Sequence, residues 1–259
     1  MPFFRHLTLL FLLALPAAAQ DPVKVAPQAY KLEFENDWVK VLRVHYAPKE
    51  KIAEHDHPPT GAAYVYLNDS GPVIFKHIGL SYGAITRPAV KARSFRLWYA
   101  TKETHEVENP SDTPSDFMRI EFKTEPVNGK SLRGKFQPEE YPQNGAPENF
   151  QKVQFENEQI RATRLVVAPH KKIAVSTGAN EPALLVALTP ISFKFTKGKD
   201  KPSKLRLDAG KAGQIEWIEQ GAMIEFENTG DAPAELLRFD LKTKPLSGDQ
   251  LKPRDHAHD

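Results

Sequence analysis

The chain has 259 residues and no cysteine, with 35 Lys and Arg against 33 Asp and Glu, a formal charge of +2. Disulfides, thiolate metal sites, thiol nucleophiles and a lipid-modified N-terminal cysteine are therefore excluded, and so is a partner held by bulk charge, such as nucleic acid or an anionic membrane surface. At 40% hydrophobic and 26% charged residues, the composition is that of an ordinary globular protein long enough for two domains.

Residues 1–19 read as a secretory signal peptide. A basic start at Arg5 and His6 precedes an apolar run from Leu7 to Leu15, and Pro16 with Ala17, Ala18 and Ala19 forms a small-residue cleavage site. The run is too short to span a bilayer, and no later stretch reaches spanning length. The expectation is a secreted or periplasmic protein with no membrane association after cleavage.

Past the signal, short alternating runs separated by turn residues predict strands over Tyr30–Glu35, Trp38–Tyr46, Lys51–His57, Ala62–Asn68, Pro72–Gly79, Ser94–Ala100, His105–Asn109 and Asp116–Lys123. Residues 125–149, rich in Pro, Gly and polar side chains, read as a linker. A second unit follows over 150–243, and 244–259 is a polar tail.

The second unit repeats the first at an offset drifting from 121 to 119. Phe34-Glu35-Asn36 recurs as Phe155-Glu156-Asn157, Arg43 as Arg164, Ile52-Ala53 as Ile173-Ala174 and Trp98 as Trp217. Glu108-Asn109, Arg119 and Lys123-Thr124 recur as Glu227-Asn228, Arg238 and Lys242-Thr243. About eight strands in roughly a hundred residues predict a two-sheet jelly roll. The expected fold is all-β: two tandem double-stranded β-helix barrels.

The residues that carry chemistry sit in the first unit. His55 and His57 flank Asp56 at a strand end, so alternation puts both imidazoles on one face, roughly 7 Å apart along the strand. His105 lies on a later strand and should face inward, because its match in the second unit is Ile224. A single inward histidine is usually a satisfied core residue, but three in one apolar barrel predict a metal site. Tyr64 and Tyr66 share a face with Ala62 and either line the cavity or are ordinary strand aromatics. Arg96 shares the face of Trp98 and either clamps a carboxylate or faces the edge. Arg43 and Arg164, present in both units, predict a shared structural feature. His45 and His77 lack a spaced partner and read as surface or satisfied residues, and His256 and His258 belong to the solvated tail. No phosphate loop, nucleophile elbow or zinc-protease helix motif is present.

These motifs resemble those of the cupin superfamily, and specifically its two-domain members. Its first motif is Gly, five residues, His-Xaa-His, three or four residues, Glu, then Gly; its second is Gly, five residues, Pro-Xaa-Gly, two residues, His, three residues, Asn. His55, His57, His105 and Asn109 fall on the histidine and asparagine positions, while Ser94, Ala100 and Lys102 replace the framing Gly and Pro. The second unit keeps the frame in Gly213, Gly221 and Asn228, with Ser176, Gly178 and Ile224 expected where histidines would stand. The motif Glu should fall at Gly61 or Ala62, neither of which coordinates, so three neutral imidazoles would leave a divalent ion its full charge.

The resemblance implies one divalent transition metal, whether Fe, Zn, Mn, Ni or Cu, on His55, His57 and His105. It further implies an oxygenase or isomerase of a small anionic molecule. A non-enzymatic module that binds a small molecule is the alternative. Oligomeric state stays open.

Overall fold

The computed structural model describes residues 21–79, 83–99, 101, 103–140, 148–198, 209–248 and 250–251. The expected signal peptide, His256 and His258 lie outside these residues, as do Ala100 and Lys102. Among the described residues no helix is long and apolar enough to cross a membrane.

After a one-turn helix, α1 (Pro22–Val25), come β1 (Tyr30–Glu35), β2 (Val39–Tyr46), β3 (Lys51–His57), β4 (Gly61–Tyr66), β5 (Val73–His77), β6 (Ala84–Arg87), β7 (Phe95–Trp98), β8 (Glu103–Glu108) and β9 (Ser115–Phe122). Within 125–149, expected to be linker, β10 (Gly134–Phe136) joins the edge of β7, and Leu132 is buried. The stretch thus adds a strand, because Leu132 and Phe136 offer the apolar surface that composition alone obscured; Phe136 stacks on Phe95. The second unit holds β11 (Phe150–Glu156), β12 (Ile160–Val167), β13 (Lys172–Ser176), β14 (Ala183–Ala187), β15 (Ile191–Gly198), β16 (Ala209–Gly210), β17 (Ile215–Ile218), β18 (Met223–Asn228) and β19 (Ala234–Leu241).

Each unit is a jelly roll of two antiparallel sheets. The first has sheets β1-β2-β9-β4-β7-β10 and β3-β8-β5-β6, and the second has β11-β12-β19-β14-β17 and β13-β18-β15-β16. Alternation divides each large sheet between two cores. In β4, Ala62, Tyr64 and Tyr66 point between the sheets of their own unit. Ala63 and Val65 point the other way and join Phe122, Ile160, Leu184 and Phe239 in one core shared by both units. Each large side chain buried there contributes about 1.5–3 kcal/mol. The large sheets are therefore covered on both faces, which is why β4 is buried along its whole length.

Polar ties lock that interface and account for several repeated residues. Arg43 donates to the carbonyl of Gly213, and Arg164 donates to the carbonyl of Arg93, so each unit's arginine reaches the equivalent loop of the other. Both acceptors have left-handed backbones, with φ of 67° at Arg93 and 86° at Gly213. Asn36 and Asn157 each accept from two backbone amides of the β1–β2 and β11–β12 turns, at Trp38 and Val39 and at Gln159 and Ile160. Asn109 donates to the carbonyls of Tyr46, Ala47 and Thr113, and Asn228 to those of Val167 and Ala232. The motif asparagines thus hold loops; they do not enter the site.

Two pairings differ from the sequence alignment. Val65 pairs with Phe95 and Val186 with Ile215, so the strand counterpart of Trp217 is Leu97, and Trp98 corresponds to Ile218. Trp98 packs inside its unit while Trp217 packs at the shared core. The second difference creates the site. In the first unit Ile52 pairs with Val107 and His55 with His105, with a bulge between them. In the second, Ile173, Ala174 and Val175 pair in unbroken sequence with Phe226, Glu225 and Ile224. Val175, buried in the core, therefore occupies the place of His55; Ser176 and Gly178 do not occupy the histidine positions. Ile224 is only half-buried at the rim of that core, against Val175.

Candidate metal centre

The bulge is what aims the histidines. Ile52 points inward, and strict alternation would carry Glu54 and Asp56 inward after it. One extra residue resets the phase, so His55 and His57 are buried while Glu54 is exposed. His105 enters from β8, directly opposite His55. The three imidazoles offer ligand atoms that all lie within 4.8 Å of one another, a group that could hold one metal ion. Ring centroids are 4.8–5.2 Å apart.

Hydrogen bonds fix two tautomers. His55 Nδ1 donates to the carbonyl of Ala53 at 2.8 Å, and His57 Nδ1 donates to Glu121 at 3.1 Å. Each is thereby left with its Nε2 lone pair to present. The hydroxyl of Tyr30 donates to Nε2 of His55 at 2.9 Å and is itself 2.5 Å from the hydroxyl of Tyr46. His105 is buried with no hydrogen-bond partner at either ring nitrogen. Burial lowers the pKa of all three, most strongly at His57 and His105, with Arg119 adding to the effect and the neighbouring imidazoles reinforcing it at these two. All three are neutral at pH 7, the form a metal requires.

Carboxylates absent from the expected motif positions reach the site from elsewhere. Arg119 and Glu121 alternate inward on β9, where Arg119 donates to Glu121 (2.9 Å), Glu103 (3.0 Å) and the hydroxyl of Tyr64 (2.8 Å). Burial pulls the guanidinium pKa down, but Tyr64, Glu103 and Glu121 more than compensate and raise it. The remaining oxygen of Glu121 is buried without a partner. The candidate ligand set remains the three imidazoles; two carboxylates and one guanidinium stand behind it, a formal net charge of about one negative unit. The pattern is visible in the second unit as Arg238 donating to Asp240.

His77, read from sequence as surface or satisfied, pairs across the sheet with His105, their rings 5.4 Å apart. Spacing along a single strand could not reveal this neighbour. His45 is exposed and bonded to Asp116, as expected of a surface residue.

The expected lining residues divide. Tyr64 is inward and bonded to Arg119, which connects through Glu121 to His57; burial pushes its pKa up to about 12. Tyr66 and Arg96 instead line a separate cavity of about 110 Å³. A larger cavity of about 290 Å³ opens onto His57 and Glu121 between α1, β2 and β3, with Lys40, Lys123, Asp21, Glu35 and Asp56 around it.

His105, buried with no hydrogen bond at either ring nitrogen and grouped with His55 and His57, fits a cation: its one lone pair has no protein donor to meet it. Three imidazoles with a carboxylate nearby suit a divalent transition metal.

No protein-family model and no curated protein matches the sequence. In structure the chain is similar to AerE from Microcystis aeruginosa, with a TM-score of 0.54 and 11% identity over 82% of this chain and 97% of that one. It is also similar to the bacterial pirin YhhW from Escherichia coli, described in complex with nickel(II), with a TM-score of 0.51 and 14% identity over 84% and 91% of the two chains. Such low identities speak to fold alone.

Proposed function

The chain has the cupin fold in two tandem units, and from that premise we propose an exported protein that holds one divalent transition metal on His55, His57 and His105. The observation that carries this reading is His105, an imidazole buried between two others with neither nitrogen hydrogen-bonded. Glu121 orients His57, as carboxylates commonly do for metal-ligating histidines.

The metal would act on a small molecule reaching it through the 290 Å³ cavity at His57, near the lower size limit of small-molecule sites. A bound divalent ion supplies Lewis-acid chemistry, or electron transfer if it is redox-active. The chain's own part is to keep three imidazoles neutral, hold them by Glu121 and Ala53, and exclude bulk water. With Glu103, Glu121 and Arg119 counted, a divalent ion leaves one net positive charge, which favours an anionic ligand. Oxygenase or isomerase chemistry follows on this reading. The non-enzymatic alternative is favoured by Tyr30, whose hydroxyl already occupies Nε2 of His55.

Element analysis of protein purified without a His-tag tests the proposal. About one equivalent of a single metal supports it, and sub-stoichiometric, mixed metal favours the binding module. Absence of metal, with none taken up on titration, would remove the proposal.

A further inference from the structure

The 110 Å³ cavity is lined by Tyr66, Arg87, Lys91, Ser94, Arg96 and Lys135 among others, with no carboxylate in its lining. It shares no residue with the cavity over His57. Arg87 and Arg96 line this small space with Lys91 and Lys135 at its rim; like charges repel, and desolvation of the two guanidiniums adds to the cost unless an anion joins them.

Arg87 is the key residue. It is 5% exposed, and its Nη2 is fixed by Ser70, Gly71 and Ser115 at 3.2–3.3 Å. Its Nη1 is buried and makes no hydrogen bond, with the guanidinium 5.1 Å from the centre of the Tyr66 ring. Arg96 repeats the feature from the opposite sheet: Nε is buried and unbonded, and the group lies over Tyr64 at 4.7 Å and Trp98 at 5.3 Å. Among the described residues neither arginine forms an ion pair; Lys91 pairs with Asp69 toward solvent. Two guanidiniums with spare N–H donors, held in place by other contacts, are a preorganised receptor for oxygen anions.

We propose that this cavity is a second binding site, separate from the metal centre, that takes the oxyanion group of a small ligand, a phosphate or a carboxylate. Its volume of about 110 Å³ fits a group of that size and excludes a whole drug-sized molecule; one water takes only about 10–15 Å³ of such volume. Lys135, exposed on β10, and Lys91 at the rim would attract the anion, and Arg87 and Arg96 would bind it.

Calorimetric titration of the full protein with inorganic phosphate, and separately with malonate, at constant ionic strength tests the site. Saturable binding of one equivalent of either is expected, and the tighter probe identifies the oxyanion. Arg96→Gln should weaken it about tenfold by removing a charged donor. Lys135→Gln, at an exposed position that leaves the fold intact, should weaken it by a smaller factor and carries the test if the Arg96 variant does not fold. His105→Ala should leave anion affinity unchanged, so this site and the metal centre fail separately. No saturation with either probe, equal affinity in both charge variants, or loss of binding in His105→Ala would overturn the proposal.

Discussion

The Nδ1 of His57 lies 3.1 Å from Oε1 of Glu121, and the same oxygen accepts from Nε of Arg119 at 2.9 Å. All three groups are almost fully buried. This contact sets the ring's tautomer and turns Nε2 toward His55 and His105, so Glu121 → Gln is a sharp test of it. The amide keeps the size and loses the charge. Metal affinity should fall about 10–100-fold, measured by chelator competition, with the fold retained. Unchanged affinity would detach Glu121 from the centre.

The pH response follows from the lowered imidazole pKa values. In the unfolded chain the three histidines take up protons near pH 6.5, but in the fold burial keeps them neutral to lower pH. The unfolded state therefore binds more protons below about pH 6.5, and apo-protein stability falls as pH drops toward the folded values. Each such histidine contributes a slope of about 1.4 kcal/mol per pH unit. Metal affinity of the folded protein should be flat from about pH 8 through 6.5 and fall only where the lowered histidine pKa values are reached, with protons taken up as metal is released. Denaturant melts of the apo-protein and metal titrations between pH 4 and 8 check both; an affinity that already falls with a midpoint at or above about pH 6.5 would contradict the burial of the ligands.

Removing the bulge should break the site or the core. Deleting Glu54 makes β3 pair without interruption, so Ile52 and the His55–His57 pair cannot both face inward. The variant should lose tight metal binding or several kcal/mol of stability, because one set of side chains leaves the interior. Metal content and melting temperature read the two outcomes. Retention of both would mean the bulge does not set the phase.

Asn109→Ala should cost about 2–4 kcal/mol, since a fully buried amide that bonds three carbonyls is lost. Metal stoichiometry should not change. Chemical denaturation with metal analysis of the refolded protein checks this, and a stable variant without metal would place the residue in the site instead.

The strands and the histidine cluster were legible because alternation is local. Tyr30–Glu35 and Lys51–His57 appear with the expected limits, and His55, His57 and His105 converge as their inward placement required. What sequence left hidden depends on pairing between distant strands. Nothing local shows which way Arg119 and Glu121 face on their strand; the other face of the large sheet is apolar, where Met118, Ile120 and Phe122 meet the second unit. Charged residues were therefore driven inward, where they could pair with each other and with His57. His77 was invisible as a neighbour until register set it opposite His105. The single-residue shift at the bulge likewise misaligned Ser176 and Gly178, because a fixed offset cannot carry an insertion. The repeated Arg-Xaa-acid of β9 and β19 was the one signal that could have exposed Glu121.

The most direct test of the centre is X-ray absorption at the edge of the metal carried by tag-free protein, compared with His105→Ala. Three imidazoles in the first coordination shell, falling to two or to no bound metal in the variant, is the predicted result. A shell with fewer than three imidazoles in the wild type, or an unchanged spectrum at full occupancy in His105→Ala, would contradict the account.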